Sequence, residues 1–185
     1  HFENNQSDKF FSSAGIVTYG KTEILDCIFI NNHAKAHGAI YAQIPDNNLT
    51  IKRSSFINNS GNTTNGEAGA ILLNSYTNSS SNVPNNKIEN CLFVGNKANH
   101  GGAIYIAGDG NVSINHVTAV NNTSGSSGSG GFIYNTFNNS SKIEITNSIL
   151  WGEDGSDIYS GVVDLKSLSY SLVKEGFSGF NIQQA

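Results

Sequence analysis

The chain has 185 residues, a formal net charge of −4 and 13% charged residues, about half the ~25% usual in soluble proteins. Its polarity comes instead from amides and hydroxyls, with 27 Asn residues alone. No basic stripe offers a footing for a nucleic-acid backbone, no window approaches the ~18 consecutive apolar residues of a membrane-spanning helix, and the opening residues lack the basic and apolar regions of a signal peptide.

Taken in chain order, the sequence repeats itself. Phe2 is followed three residues later by Asn5, and the pair recurs as Phe29 and Asn32, Phe56 and Asn59, and Phe93 and Asn96. Ala119 and Asn122 form a degenerate copy, and Leu150 takes the aromatic slot in a divergent one. The slot advances by 27, 27, 37, 26 and 31 residues, which fits one solenoid turn per repeat with insertions of variable length.

Between successive aromatics lies a small-small-apolar pattern: Gly38-Ala39-Ile40, Gly69-Ala70-Ile71, Gly102-Ala103-Ile104 and Gly131-Phe132-Ile133. Ala14-Gly15-Ile16 and Ser156-Asp157-Ile158 are its worn ends. Upstream of each aromatic runs a β-prone stretch with Ile five residues before the slot, at Ile24, Ile51, Ile88, Ile114 and Ile145. Helical periodicity is missing, and Gly and Asn breakers come too often for a helix of ten residues.

The expected fold is therefore all-β: a right-handed single-stranded parallel β-helix of about six coils with three short strands per coil, cut from a longer array. Residues 1–185 form one domain, with repeat coils over 1–159 and a divergent last coil or C-terminal cap over 160–185. Phe2, Phe29, Phe56 and Phe93 should stack inward. Asn5, Asn32, Asn59, Asn96 and Asn122 should form an amide ladder at a turn whose left-handed backbone Asn tolerates.

Few residues invite chemistry. Cys27 and Cys91 both stand two positions before an aromatic, two coils apart, on the order of 9.6 Å from twice the strand spacing, too far for a disulfide; two free, buried thiols are expected. Asp26, Arg53, Asn90, His116 and Asn147 form a polar column that resembles a catalytic row, but glycoside hydrolysis needs a pair of carboxylates and only Asp26 supplies one; Asp26 with Arg53 reads as a surface ion pair. His37 and His100 differ by one residue in register and should not share a metal. Glu153, Asp154 and Asp157 read as a solvated turn. No cofactor and no metal site is expected.

Binding is expected in the insertions, because loops on a rigid scaffold vary without harming the core. They are 60–67, 74–86, 123–129 and 136–141, where Tyr76 and Phe137 either stack on a sugar ring or partner surface or fold back to pack their own loops.

At Phe29-Ile30-Asn31-Asn32 with Gly38-Ala39-Ile40, and at Phe93-Val94-Gly95-Asn96 with Gly102-Ala103-Ile104, the sequence resembles the polymorphic outer membrane proteins and related adhesin-like β-helix proteins. The resemblance covers about residues 2–134. It implies a non-enzymatic cell-surface or secreted adhesin module, extracellular or carried on an outer membrane, that displays variable loops toward a host-cell surface protein or glycan. It implies no catalytic residue, no nucleic acid, no membrane insertion by these residues, and continuation into further coils. The alternative expectation is a carbohydrate-active β-helix enzyme, a polysaccharide lyase or hydrolase, or a phage-type spike.

Overall fold

Three-residue strands that alternate out, in and out can bury one large side chain each, and stacking them in register lines those side chains into a core. The computed structural model describes residues 1–9, 12–45, 48–62, 64–76, 83–108, 110–125, 130–136, 142–152, 157–160 and 165–174. The chain is an all-β parallel solenoid.

Its first sheet stacks the seven strands Phe2–Glu3, Ile28–Ile30, Ser55–Ile57, Leu92–Val94, Thr118–Val120, Ile149–Trp151 and Leu172–Val173. The second stacks six: Ile16–Thr18, Ile40–Pro45, Ile71–Tyr76, Ile104–Gly108, Ile133–Asn135 and Ile158–Ser160. The third stacks six more: Thr22–Leu25, Leu49–Lys52, Asn85–Glu89, Asn111–Asn115, Ile143–Thr146 and Leu165–Ser169. These numbers agree closely with the expected count of about six coils.

The strand register pairs Phe2, Phe29, Phe56, Phe93, Ala119, Leu150 and Val173 in one column. Ile24, Ile51, Ile88, Ile114, Ile145 and Leu168 form another. The first four rings lie face to face at 4.7, 4.9 and 4.8 Å, the strand spacing itself. Above Phe93 the stack ends because Ala119 occupies the slot. Phe132, standing where earlier coils have Ala39, Ala70 and Ala103, is buried and meets Phe93 edge-on at 5.5 Å. Large and small have exchanged columns, and the core volume is kept.

Two columns of left-handed residues turn the corners. Between the third and first sheets Asp26, Arg53, Asn90, His116, Asn147 and Tyr170 all have φ between 48° and 54°. After the first sheet come Asn4, Asn31, Asn58, Gly95 and Asn121, with φ between 52° and 64°. The ladder Asn is thus not the left-handed residue; the one before it is, and that leaves the ladder side chain free to turn inward. On the second-sheet side, a Cβ at Gly69 would collide with the Gly102 carbonyl and one at Gly102 with the Gly131 carbonyl, so the small-residue column is set by coil-to-coil approach.

Candidate functional site

Inside the turn after the first sheet, each ladder amide satisfies its neighbours. Asn59 Oδ1 accepts from the Asn32 backbone N–H at 3.0 Å and from Asn32 Nδ2 at 2.9 Å. Asn59 Nδ2 donates to the Phe29 carbonyl at 2.9 Å and to Asn96 Oδ1 at 3.0 Å. The same pattern links Asn5 to Asn32 and Asn96 to Asn122. Asn32, Asn59, Asn96 and Asn122 sit in the interior as rungs and are not available to a ligand, while Asn5 is exposed.

A second ladder escaped sequence reading. The column two residues before the aromatic runs Cys27, Ser54, Cys91, Val117, Ser148 and Ser171. Ser54 Oγ accepts from the Cys27 N–H at 3.1 Å and donates to the Lys52 carbonyl at 2.9 Å; Ser148 and Ser171 repeat this. Both cysteines are free, but only Cys91 is buried and Cys27 is half-buried. The expectation of two buried thiols holds at Cys91 and fails at Cys27, whose Sγ donates to the Leu25 carbonyl at 3.3 Å. Burial pushes the Cys91 thiol up, as the dominant effect.

The row that resembled a catalytic column is the left-handed corner between the third and first sheets. Asp26 is held there by Arg53 through two 2.7 Å hydrogen bonds, Arg53 Nε to Oδ1 and Nη2 to Oδ2, and the guanidinium holds its carboxyl below the usual range. Asn147 Nδ2 donates to Asn115 Oδ1 at 2.9 Å. These residue types share a tolerance for the turn more than a chemistry. Among the described residues no group of three or more His, Cys, Asp or Glu gathers as a metal would need. Glu153 and Asp154 lie outside the described residues, and Asp157 is buried, its carbonyl accepting from the Phe132 and Ile133 N–H groups.

The outer face of the second sheet is an aromatic column: Tyr41, Leu72, Tyr105, Tyr134 and Tyr159. Tyr134 and Tyr159 stack at 4.9 Å with ring planes 10° apart, so their faces cover one another and their edges point outward. His37 and His100 do not converge: His37 packs 4.6 Å from Tyr41, and His100 stacks 4.8 Å from Tyr134. The insertion after Ser60, expected to be a binding loop, folds back on this face. Ala68 is buried with Tyr41 and Leu72. Glu67 N donates to the Ala36 carbonyl, and the Gly66 carbonyl accepts from the Asn99 and His100 N–H groups. It is a strap across three coils. Beneath it His37 lies buried, Nδ1 3.5 Å from Glu67 Oε2, and desolvation lowers its pKa to about 4.

The insertion read as 74–86 is shorter than expected, since Ile71–Tyr76 and Asn85–Glu89 extend the strands into both its ends. The backbone of Tyr76 ends its strand; its side chain, like Phe137, lies outside the described residues.

The outer face of the third sheet carries the most open polar surface described. Outward positions align as Glu23, Thr50, Lys87, Ser113 and Glu144. A trough of about 490 Å³ is lined by Lys21, Glu23, Asn48, Thr50, Lys52, Arg53, Asn85 and Lys87, with Leu25 the one apolar wall. A second, of about 260 Å³, continues from Asn85 along Asn111, Ser113, Lys142 and Glu144. Four of the chain's ten Lys and Arg residues line the first trough. Lys52 pairs with Glu89 at 2.8 Å and Arg53 with Asp26; no ion pair among the described residues engages Lys21 or Lys87. The rim is ordered by coil-to-coil amides, the Asn85 N–H donating to Asn48 Oδ1 at 2.7 Å and the Lys142 N–H to Asn111 Oδ1 at 3.2 Å.

No family model matches the chain, and no curated protein or solved structure does.

Proposed function

We propose that the chain is a non-enzymatic attachment module, displayed on a cell surface or secreted, whose rigid solenoid holds an extended hydroxyl-rich polymer such as a surface glycan along the outer face of the third sheet. The observation that carries this reading is the pair of polar troughs: they meet at Asn85, together cross five coils, and present ammonium, amide, hydroxyl and carboxylate groups at the strand spacing. Such groups answer the hydroxyls and carboxylates of an acidic sugar chain. The connections from the second sheet to the third range from two to eight residues between strand ends and lead in the chain to the rim residues Asn48, Asn85, Asn111 and Lys142. Loops along this edge would add selectivity to a trough that supplies general affinity. The adhesin-like resemblance of the Phe-x-x-Asn and Gly-Ala-Ile motifs supports the same reading.

The test is a glycan array and a cell-binding assay with the full chain and with a variant lacking 77–82. Binding to a narrow set of polysaccharides by the full chain, broadened or weakened by the deletion, supports the module. Absence of binding by both forms, with their β-sheet spectra intact, overturns it.

A further inference from the structure

Among the described residues, the charges along the two troughs of the third sheet come in opposed pairs, with one exception. Lys52 holds Glu89 at 2.8 Å, and Arg53 holds Asp26 through two hydrogen bonds. Lys21 and Glu23, two residues apart, line one end of the larger trough, and Lys142 and Glu144 repeat the arrangement in the smaller one. Lys87 is left over. It stands exposed in the middle coil of the five, in the outward column between Thr50 and Ser113, so described coils set its surroundings on both sides. The acids of that column, Glu23 and Glu144, lie two coils away in either direction, on the order of 9.6 Å from twice the strand spacing. That exceeds the screening length of about 8 Å at physiological ionic strength. The nearer Glu89 is taken by Lys52.

We infer that the polysaccharide held along this face is an acidic one, with an anionic substituent seated on the Lys87 ammonium and hydroxyl-bearing stretches on either side. This rests on the attachment reading above and narrows its ligand. An ammonium has three donors and no acceptor, and in the free chain Lys87 spends them on water. A carboxylate or sulfate ester offers it a charge-assisted bond, roughly twice as strong as a neutral one. The Thr50 and Ser113 hydroxyls, one strand spacing to either side, can donate to the remaining oxygens of the same group. The rim amides answer the hydroxyls of neutral and acidic sugars alike, so they do not discriminate between the two. Lys87 does. The chain as a whole carries a net charge of −4, which disfavours an acidic polymer over the surface at large and sharpens the choice of this position.

The test is an array of linear polysaccharides bearing carboxylates or sulfate esters, each printed beside its own neutral form, carboxyl-reduced or desulfated. The full chain should bind an anionic form about tenfold or more tighter than its neutral partner, and added salt should shrink that preference. Lys87→Gln should bring the two forms to equal binding, and Lys87→Arg should keep the preference. Lys87 is exposed, so urea unfolding of Lys87→Gln should match the parent chain and separate lost selectivity from lost fold. The carboxylate and sulfate arms tell which anion is taken. Equal binding of anionic and neutral forms by the parent chain overturns the inference and leaves the attachment reading standing. Binding of neither form anywhere on the array overturns both. A preference that survives Lys87→Gln overturns the assignment to Lys87.

Discussion

Asn58 and Asn59 are neighbours with opposite tasks, and substitution separates them. Asn59 accepts two hydrogen bonds from Asn32 and donates two more, all buried. Asn59→Ala leaves those partners without replacements, and at ~1–3 kcal/mol for an unsatisfied buried group it should cost about 3 kcal/mol or more. Asn58 contributes a φ of 52°; Asn58→Ala should cost about 1–2 kcal/mol from the left-handed backbone alone, and Asn58→Gly little or nothing. Urea unfolding of the three variants checks this order; equal losses at 58 and 59 would contradict the ladder. The ladder Asn was legible because identical residues recur at one slot. The left-handed residue beside it, Asn in four of five copies, was not told apart from the ladder residue because both are Asn, and in the corner between the third and first sheets Asp, Arg, Asn, His and Tyr all fill the left-handed position. For that reason the Asp26 to Asn147 column imitated a catalytic row.

Among the elements, the Ala119 and Phe132 exchange makes one coil depend on a compensation between two sheets. Ala119→Phe should place a fifth stacking ring above Phe93 where the Phe132 edge already sits, costing about 1–3 kcal/mol by overpacking. Phe132→Ala should cost about 3–5 kcal/mol by opening a cavity. The double variant restores the Phe-and-Ala arrangement of the preceding coils, and its loss should be smaller than the sum by about 1 kcal/mol or more. Additive losses would mean the two sites do not share space. The sequence showed Ala119 as a degenerate copy and Phe132 as part of a regular one, since a repeat pattern compares each column with itself and not with the one across the core.

The strap at 60–68 has a pH signature. His37 is lowered to about 4 by burial, so as pH falls below its ordinary value of about 6.5 the unfolded chain takes up the proton first. Stability is then lost between about pH 6.5 and 4 and levels off below. Glu67, raised by burial, acts in the opposite direction, since its carboxyl protonates more readily in the folded state. Thermal unfolding between pH 7 and 4 should therefore show an acid loss that His37→Gln reduces. An unchanged slope in that variant would place the titration elsewhere. His37 entered the sequence reading only as a residue that should not share a metal with His100, and its burial follows from a loop folding over it, which no spacing rule reports.

Over the whole molecule, the solenoid, the strand register and the inward Phe, Ile and Asn columns were all readable, because a parallel stack converts sequence repeat directly into spatial column. The outer faces were not. The tyrosine column on the second sheet and the polar troughs on the third are set by which side of each strand a residue faces, and they change from coil to coil as surfaces do. The proposed attachment function is assigned to the third-sheet face and the loops beside it. The corner columns hold the turns. Measuring polysaccharide binding by two double variants separates the two assignments: Lys21→Glu with Lys87→Glu in the trough, and Asp26→Asn with His116→Asn at the corner, where Asn suits the left-handed backbone. The account requires the trough variant to lose binding and the corner variant to keep it; binding or turnover abolished by the corner variant and retained by the trough variant would contradict it.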